Sequence, residues 1–353
     1  MRIAYVARCE AAAESGVFKK LAAQVRQWRN EGHDASLFLL SRSGSRWPGA
    51  ADLIELVVTE NGWATRHTGM WKLCAAVEAW KPDVVYVRFE THYAALTKLM
   101  RKIPSVLELN TDDVSEYPQY LPRIQYLYHR LLRGSVLRRA AGLVAVTKEI
   151  GDRFAEWGRP TMVISNGIDL ASFNPLPPAP VDKPGIAFVG AAGASWHGLD
   201  ELIALAWAAP DLSFQVVGPT AERDWPPNVV AHGTLGQGTY ESLLAGCTAA
   251  VGTLAMHRKN MHEASPLKVR EYLALGLPCI IAYDDTDFPE EVPFILRIPN
   301  KPGNALAARK EITAFLQRWS GRRVDRSQVG RIDSRQKEAA RLSFMAEVAE
   351  VLP

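Results

Sequence analysis

The chain has 353 residues, of which 48% are hydrophobic and 22% are charged, a composition typical of a globular protein with two domains. Its four cysteines form no CxxC pair, which disfavours a zinc site or a disulfide framework. The net charge is only +3, no apolar run approaches the ~20 residues of a membrane span, and the first residues turn polar too soon for a signal peptide. We therefore expect a cytoplasmic protein.

Predicted strands alternate with predicted helices through the first half of the chain, a pattern typical of a doubly wound parallel sheet. Gly16 lies where the first strand passes into the first helix, and a glycine there lets a ligand approach the backbone. The surrounding residues do not form GxGxxG, which disfavours a dehydrogenase. The strands are predicted at 1–7, 35–40, 53–59, 83–88, 105–110, 142–146 and 161–165, and the helices at 15–31, 69–80, 92–102, 121–141 and 148–157.

Asn110 and Asp112 stand at the end of one predicted strand. Because ligands of such sheets bind at the carboxyl ends of strands, we take both as candidate catalytic residues. Asp112 and Asp113 could also be interpreted as a metal site, because two adjacent carboxylates can bind a cation. The alternative interpretation is that they cap the segment that follows.

The predicted helix at 121–141 is strongly basic. Its apolar positions have helical spacing, so we expect Ile124, Leu127, Leu131 and Leu132 to face inward. Its arginines leave two interpretations open: contact with an anionic membrane at the inner face or a phosphate-bearing ligand, and a solvated basic surface. These arginines are Arg123, Arg130, Arg133, Arg138 and Arg139.

A turn signal at 166–169, followed by a proline-rich segment at 175–180, predicts a domain boundary. We therefore expect a first domain at 1–169, a second at 170–334 and a terminal segment at 335–353 that forms a final helix. Strand-helix alternation restarts in the second domain, and its loop at 191–198, which contains Gly193, indicates phosphate binding.

One stretch of the second half combines two carboxylates with the punctuation of a helix. Ser265 suits an N-cap, Pro266 the first helical position and Gly276 the C-terminal stop. Glu263 and Glu271 lie on either side of this helix start. Free amides there can bind a diphosphate, and the carboxylates can accept from sugar and ribose hydroxyls. This is the pattern of a nucleotide-sugar clamp.

The E-x7-E spacing of Glu263 and Glu271, with Ser265-Pro266-Leu267-Lys268 inside it and Gly276-Leu277-Pro278 after it, resembles the signature of the family 4 retaining GT-B glycosyltransferases, the group 1 glycosyltransferases. The resemblance implies two Rossmann-like, doubly wound parallel-sheet domains facing a cleft. The first would bind the acceptor and the second a nucleotide-diphosphate sugar, and the last helix would cross back to the first domain. It further implies transfer with retention to a glycan, lipid-linked or small-molecule acceptor, as in polysaccharide biosynthesis, with no cofactor, metal or nucleic-acid partner.

The same resemblance assigns roles to individual residues. Glu263 would hold donor-sugar hydroxyls during catalysis, and Glu271 would bind the ribose. The family's glycine loops correspond to Gly16 and Gly193, and the segment that meets the base includes Thr234. The remaining donor-binding candidates are Ser265, Pro266, Leu267, Lys268 and His197.

Two positions depart from the family pattern. Asn110 stands where many members have a histidine, and His197 stands where they have a lysine, while the family's nearby arginine has no basic counterpart. The missing charge could come from a protonated His197 or from Arg258, Lys259 or Lys268; alternatively, His197 is structural. Two other function classes therefore stay open: a nucleotide-sugar epimerase of the same fold, and a nucleotide-sugar-binding protein without turnover.

Overall fold

The chain divides into two compact units in a computed structural model that describes residues 1–12, 15–44, 47–178, 184–190, 194–218 and 224–350. Unit 1 comprises Met1–Ser165 and Ser334–Pro353, and unit 2 comprises Asn166–Asp333. The sequence placed the first boundary after residue 169, four positions later.

Unit 1 is built on a parallel sheet of seven strands, counted over the described residues, in the order β3-β2-β1-β4-β5-β6-β7. The strands are short apolar runs, as expected for a parallel sheet buried on both faces. The strand order runs one way from β1 to β3 and the other way from β4 to β7, so it reverses between β1 and β4. Such sheets bind ligands at this point. The strands are β1 (Arg2–Arg8), β2 (Asp34–Ser41), β3 (Ile54–Thr59), β4 (Val84–Arg88), β5 (Ser105–Leu109), β6 (Gly142–Ala145) and β7 (Thr161–Val163).

The helices of unit 1 cover its sheet. Prediction and structure agree on their positions, but the predicted helix at 69–80 begins earlier, at Trp63, and the one at 92–102 shrinks to six residues. Within the described residues these helices are α1 (Gly16–Asn30), α2 (Trp63–Trp80), α3 (Ala94–Leu99), α4 (Asp113–Glu116), α5 (Arg123–Leu137) and α6 (Lys148–Phe154).

Helix α5 faces the opposite way from our prediction. Its inward side carries His129 and Arg133, which both bind the buried carboxylate of Asp113, at 2.6 Å and 2.6–2.7 Å. An unpaired carboxylate in the interior costs far more free energy than exposed leucines do. The helix therefore turns His129 and Arg133 towards Asp113 and leaves its leucines at the surface. The four residues predicted to face inward are exposed instead: Ile124 (79%), Leu127 (57%), Leu131 (73%) and Leu132 (39%).

Unit 2 repeats the architecture with a six-stranded parallel sheet in the order β10-β9-β8-β11-β13-β15, again counted over the described residues, so its reversal lies between β8 and β11. A separate two-stranded pair joins β12 to β14. The strands are β8 (Gly185–Val189), β9 (Ser213–Val217), β10 (Val229–Ala231), β11 (Ala249–Val251), β12 (Glu263–Ala264), β13 (Cys279–Ile281), β14 (Asp284–Asp285) and β15 (Ile295–Arg297).

The described helices of unit 2 are followed by a terminal helix that packs in unit 1. Trp28 of α1 is fully buried against Tyr5 and Tyr86, and its indole nitrogen donates to Glu338 of that helix at 2.9 Å. No helix in the described part of the chain has the length and apolarity that crossing a bilayer requires. These helices are α7 (Leu199–Ala208), α8 (Gln237–Ala245), α9 (Leu267–Ala274), α10 (Asn304–Ala307), α11 (Arg309–Trp319) and the terminal α12 (Ser334–Glu350).

Candidate functional site

The start of α9 differs from the predicted capping pattern. Pro266, with extended backbone angles (φ −70°, ψ 134°), is the N-cap, and Leu267 is the first helical residue. Ser265 does not cap the helix. Its buried hydroxyl oxygen accepts hydrogen bonds from the backbone N–H of Asn166 and from Arg270, both at 2.9 Å. Ser265 therefore holds the loop before α9 in place, so we assign it a supporting position rather than contact with a donor.

Arg270 is the organising residue that sequence reasoning missed. Its side chain is fully buried and binds Asp285 at 2.7 and 3.0 Å and Asp287 at 2.9 Å. Burial lowers the pKa of Arg270, but the two carboxylates outweigh it and raise the pKa above its ordinary value. The acidic run at 284–287 thus binds an arginine, and no group of metal-ligating side chains occurs among the described residues. The available signal was a lone arginine inside a helix next to an acidic loop.

The two glutamates of the E-x7-E pattern lie on consecutive elements. Glu263 is on β12, paired with Asp284 of β14, while Glu271 is in the second turn of α9. Both are half-buried, so each side chain can reach solvent or a ligand. Glu271 faces Tyr240, whose pKa is raised first by burial and then by the charge of Glu271. A carboxylate therefore stands on each side of the start of α9.

A group of cations lies beside the carboxyl end of β8. Lys268 Nζ donates to the carbonyl oxygen of Val189 at 3.0 Å and stands 4.8 Å from the ring of Phe188. Burial lowers the pKa of Lys268 to about 7. The pKa of His197 falls to about 3, first because of burial and then because of the charges of Lys268 and Lys259. His197 is therefore neutral at neutral pH and brings no charge to this place.

Arg258 and Lys259, the other proposed replacements for the family's basic pair, differ from each other. Arg258 forms two hydrogen bonds with Asp200, at 2.9 and 2.6 Å, and a third with the carbonyl of Ser195. The Asp200 carboxylate therefore already neutralises the charge of Arg258 within unit 2. Lys259 is buried, with Nζ 4.8 Å from the ring of Trp196. Lys268 and Lys259 are therefore the cations that the structure brings close to His197.

Backbone packing at the end of β8 explains one glycine near this site. A Cβ at Gly218 would lie 2.1 Å from the carbonyl oxygen of Gly190, and Gly218 has φ +99°. The chain ends of β8 and β9 thus approach too closely for any side chain. The predicted Gly193 lies outside the described residues. Thr234 is exposed in the loop after β10, and Pro266 and Leu267 are half-buried.

The carboxyl ends of the parallel strands form one edge of each sheet, which we call the strand edge of that unit. In unit 1 a buried carboxylate, which the sequence analysis did not identify, lies at the centre of this edge. Glu108, the second-to-last residue of β5, is fully buried and accepts from Lys20 at 2.8 Å and from Tyr5 at 3.1 Å. Arg88 and Arg341 follow at 3.5 and 3.8 Å. Burial raises the pKa of Glu108, but these cations outweigh it and hold the pKa well below its usual range. Burial also lowers the pKa of Lys20, to about 8, despite the opposing charge of Glu108.

Asn110 is oriented by this network. Its amide oxygen accepts from Lys20 at 3.2 Å, and its amide nitrogen donates to Glu108 at 3.0 Å. Asp112, in contrast, has structural partners on both carboxylate oxygens: it caps α4 through the N–H of Val114 and binds Ser115. We therefore favour the capping role for Asp112 over a catalytic one. Gly16 begins α1 and has open space around its Cα.

Arg8 and Arg88 end the two strands at which the order of the unit 1 sheet reverses. Arg8 binds Glu60 at 2.7 Å and Glu90 at 2.9 Å. A cavity of about 10 Å³, the size of one water molecule, lies between these strands and is lined by both arginines, Glu90 and Tyr93. One carboxylate oxygen of Glu90 has no hydrogen-bond partner there. A cavity of this size has room for one water molecule, which can donate to that oxygen.

Part of the chain matches a known family model. Residues 15–167 match the family model of the glycosyl transferase 4-like domain. No curated protein matches the chain.

Solved structures match nearly the full length of the chain. They include sucrose-phosphate synthase from Thermosynechococcus elongatus (TM-score 0.71, 14% identity, 98% of both chains) and a glycosyltransferase from Rickettsia africae (0.69, 12%, 99% of this chain and 100% of that one). Anabaena HepE, solved in complex with UDP and glucose, gives a TM-score of 0.60 at 15% identity over 98% of this chain and 97% of that one. At such identities the likeness establishes the fold, and the predicted GT-B fold is confirmed.

Proposed function

We propose that this chain, which has a GT-B fold and matches the glycosyl transferase 4-like domain over residues 15–167, moves a sugar from a nucleoside diphosphate to an acceptor hydroxyl with retention of anomeric configuration. The observation that carries the proposal is the arrangement at the edge of unit 2. There, Lys268 contacts the end of β8 from the first turn of α9, and one glutamate precedes this helix while another lies in its second turn. This arrangement offers positive charge to a diphosphate and carboxylates to the hydroxyls of the two sugars that flank it.

The donor side follows from the positions of these groups. The diphosphate lies against Lys268 and the first amides of α9, because the first amides of a helix have no partner within it. Lys259 adds charge from the segment beside His197. Glu271 accepts from the ribose hydroxyls, and Glu263 accepts from hydroxyls of the transferred sugar. HepE, a structural neighbour solved with UDP and glucose, supports UDP-glucose as the first donor to test.

The acceptor side is assigned to the strand edge of unit 1. Asn110 presents an amide whose orientation is fixed by Lys20 and Glu108, and it can bind an acceptor hydroxyl without taking up a proton. A glycan, lipid-linked or small-molecule acceptor can bind this amide, since each of them carries hydroxyls.

The chemical step needs no further cofactor in this account. The bond between the anomeric carbon and the diphosphate oxygen breaks, and the acceptor oxygen forms the new bond on the same face of the sugar. The proton of the acceptor hydroxyl passes to the departing diphosphate oxygen. Lys268 and the helix amides stabilise the charge that develops on that oxygen, and Glu263 stabilises the positive charge that develops on the sugar.

A product analysis tests the proposal and separates it from its alternatives. The full chain is incubated with UDP-glucose and then with other nucleotide sugars, and the anomeric configuration of the product is read by proton NMR. Transfer of an α-linked donor to an α-linked product is the expected result, and a β-linked product would contradict retention. An epimerised sugar, whether still on its nucleotide or released with water, would instead identify an epimerase, and binding without product would identify a non-catalytic nucleotide-sugar protein.

A further inference from the structure

Helix α5 exposes a continuous apolar stripe. Ile124, Leu127 and Leu131 are three and four positions apart, so they lie on one face of the helix, and they are 79%, 57% and 73% exposed. We refer to these three residues as the α5 stripe. Single exposed leucines are common on protein surfaces, but three large apolar side chains on one helical face mark an interaction surface.

Positive charge lies beside the α5 stripe. Arg123, Arg130 and Arg138 are exposed on the same helix, and residues 120–141 contain no aspartate or glutamate. Two aromatic residues flank the helix: Tyr120, 53% exposed just before it, and Trp63, 40% exposed, whose ring lies 5.5 Å from that of Tyr128. Exposed apolar, aromatic and basic side chains together are the composition of helices that lie in a membrane interface.

Helix α5, which carries the α5 stripe, packs against the loop that follows β4 at the strand edge of unit 1. The backbone N–H of His92 donates to His129 at 3.1 Å, and the His92 ring contacts the Tyr128 hydroxyl at 3.0 Å. Tyr117, in the segment just before α5, donates to the carbonyl of Glu90 at 2.8 Å. The segment at 90–92 follows β4, so it connects α5 to the carboxyl end of a strand at which the order of the unit 1 sheet reverses.

We propose that the α5 stripe inserts into the headgroup region of an anionic bilayer, with the arginines on the lipid phosphates, so that unit 1 takes its acceptor from the membrane surface. The acceptor part of this proposal rests on the proposed function, whereas the membrane contact does not. Charge selects the bilayer over a second copy of the chain. In a two-fold contact each surface meets itself, and the arginines of the two copies would face one another.

Vesicle co-sedimentation of the full chain tests the contact without any assay of activity. We expect binding to vesicles that contain about one-third phosphatidylglycerol and no measurable binding to pure phosphatidylcholine. Ile124→Ser/Leu127→Ser/Leu131→Ser should weaken binding roughly 100-fold, because these side chains would no longer enter the interface. Their exposure in the free protein leaves folding intact. The matched control, Trp207→Ser/Leu306→Ser, removes two exposed apolar residues of unit 2 and should bind as the parent does.

A charge variant sharpens the test. Arg123→Gln/Arg130→Gln/Arg138→Gln should weaken binding roughly five-fold for each arginine, and added salt should weaken binding of the parent protein steeply. Equal binding to neutral and anionic vesicles, or unchanged binding of the stripe variant, would overturn the proposal. A dimer in solution that the stripe variant abolishes would also overturn it and assign the surface to a second copy. Thermal stabilisation by UDP should be the same in all variants, so failure of the donor site would be recognised separately.

Discussion

The strand edges of the two units differ in whether their buried charge is paired with an opposite charge. In unit 1 the buried carboxylate of Glu108 already has its cations, with Lys20 at 2.8 Å and Arg88 at 3.5 Å. In unit 2 the ammonium of Lys268 has, within the described residues, the carbonyl of Val189 and the ring of Phe188 as its contacts. Unit 1 is therefore compensated internally and suits neutral hydroxyl ligands. Unit 2 holds a costly cation that an anionic ligand would stabilise.

The largest effect concerns the compensated edge. Lys20→Met leaves Glu108 buried beside its weaker partners, and we expect a loss of about 3–5 kcal/mol in the free energy of unfolding, measured by urea denaturation. The matched control is Lys102→Met. Lys102 also pairs with a glutamate, Glu78, but their side chains are 48% and 46% exposed, so its loss should cost less than about 1 kcal/mol. Equal losses for the two variants would contradict the idea that burial makes the Glu108 network essential.

Glu263 provides the next largest effect. Glu263→Gln keeps the shape of the side chain and removes the charge that would stabilise the sugar in the transition state. We expect kcat to fall at least ~100-fold, about 2.7 kcal/mol, while nucleoside-diphosphate affinity and folding stay nearly unchanged. Glu311→Gln, an exposed glutamate of α11, serves as the control. Transfer at the parent rate would remove Glu263 from the mechanism.

Glu271 should act on binding rather than on the rate. If it accepts from the ribose hydroxyls, Glu271→Ala should raise the Kd of the nucleoside diphosphate. The binding free energy should weaken by about 1.5–3 kcal/mol, as expected for a hydrogen bond to a charged group. Isothermal titration calorimetry measures this change, and single-turnover kinetics should show a smaller loss. An unchanged Kd together with a slower transfer would assign Glu271 to catalysis instead.

The smallest effect is a pH dependence of donor binding. Burial puts the pKa of Lys268 at about 7 in the free protein, and a bound diphosphate raises it by favouring the charged form. Binding then takes up a proton, so donor affinity should be highest below pH 7 and fall as the pH rises, by at most about tenfold per unit. His197 and Cys279, whose pKa values lie far from this range, do not titrate there.

Lys268→Arg provides the matched comparison for this pH dependence. An arginine stays charged across the range, so its donor affinity should not depend on pH between 7 and 9. Titration calorimetry with UDP-glucose in buffers of different ionisation enthalpy counts the protons taken up. A parent profile as flat as that of the arginine variant would show that Lys268 does not meet the diphosphate.

Sequence alone predicted the repeating architecture and much less of the side-chain detail. Strand-helix alternation and glycine punctuation are local signals, and they were sufficient for two doubly wound sheets. The orientation of α5 could not be predicted, because apolar periodicity does not register that Asp113 draws Arg133 inward. Ser265 was misassigned for the same reason: Arg270, a partner in three dimensions, takes its hydroxyl. Buried ion pairs are long-range contacts, and local patterns do not encode them.

We expect the anion site at the strand edge of unit 2 and not at that of unit 1, and one binding comparison tests this most directly. Nucleoside-diphosphate affinity is measured by calorimetry at pH 6.5, after a thermal-shift screen has chosen the base, for the parent and two variants. Lys268→Gln should weaken binding at least ~10-fold, since it removes a charge-assisted contact worth about 1.5–3 kcal/mol. Arg88→Gln, the matched loss of a cation at the unit 1 edge, should leave the Kd within about two-fold. A larger loss for Arg88→Gln than for Lys268→Gln would contradict the account.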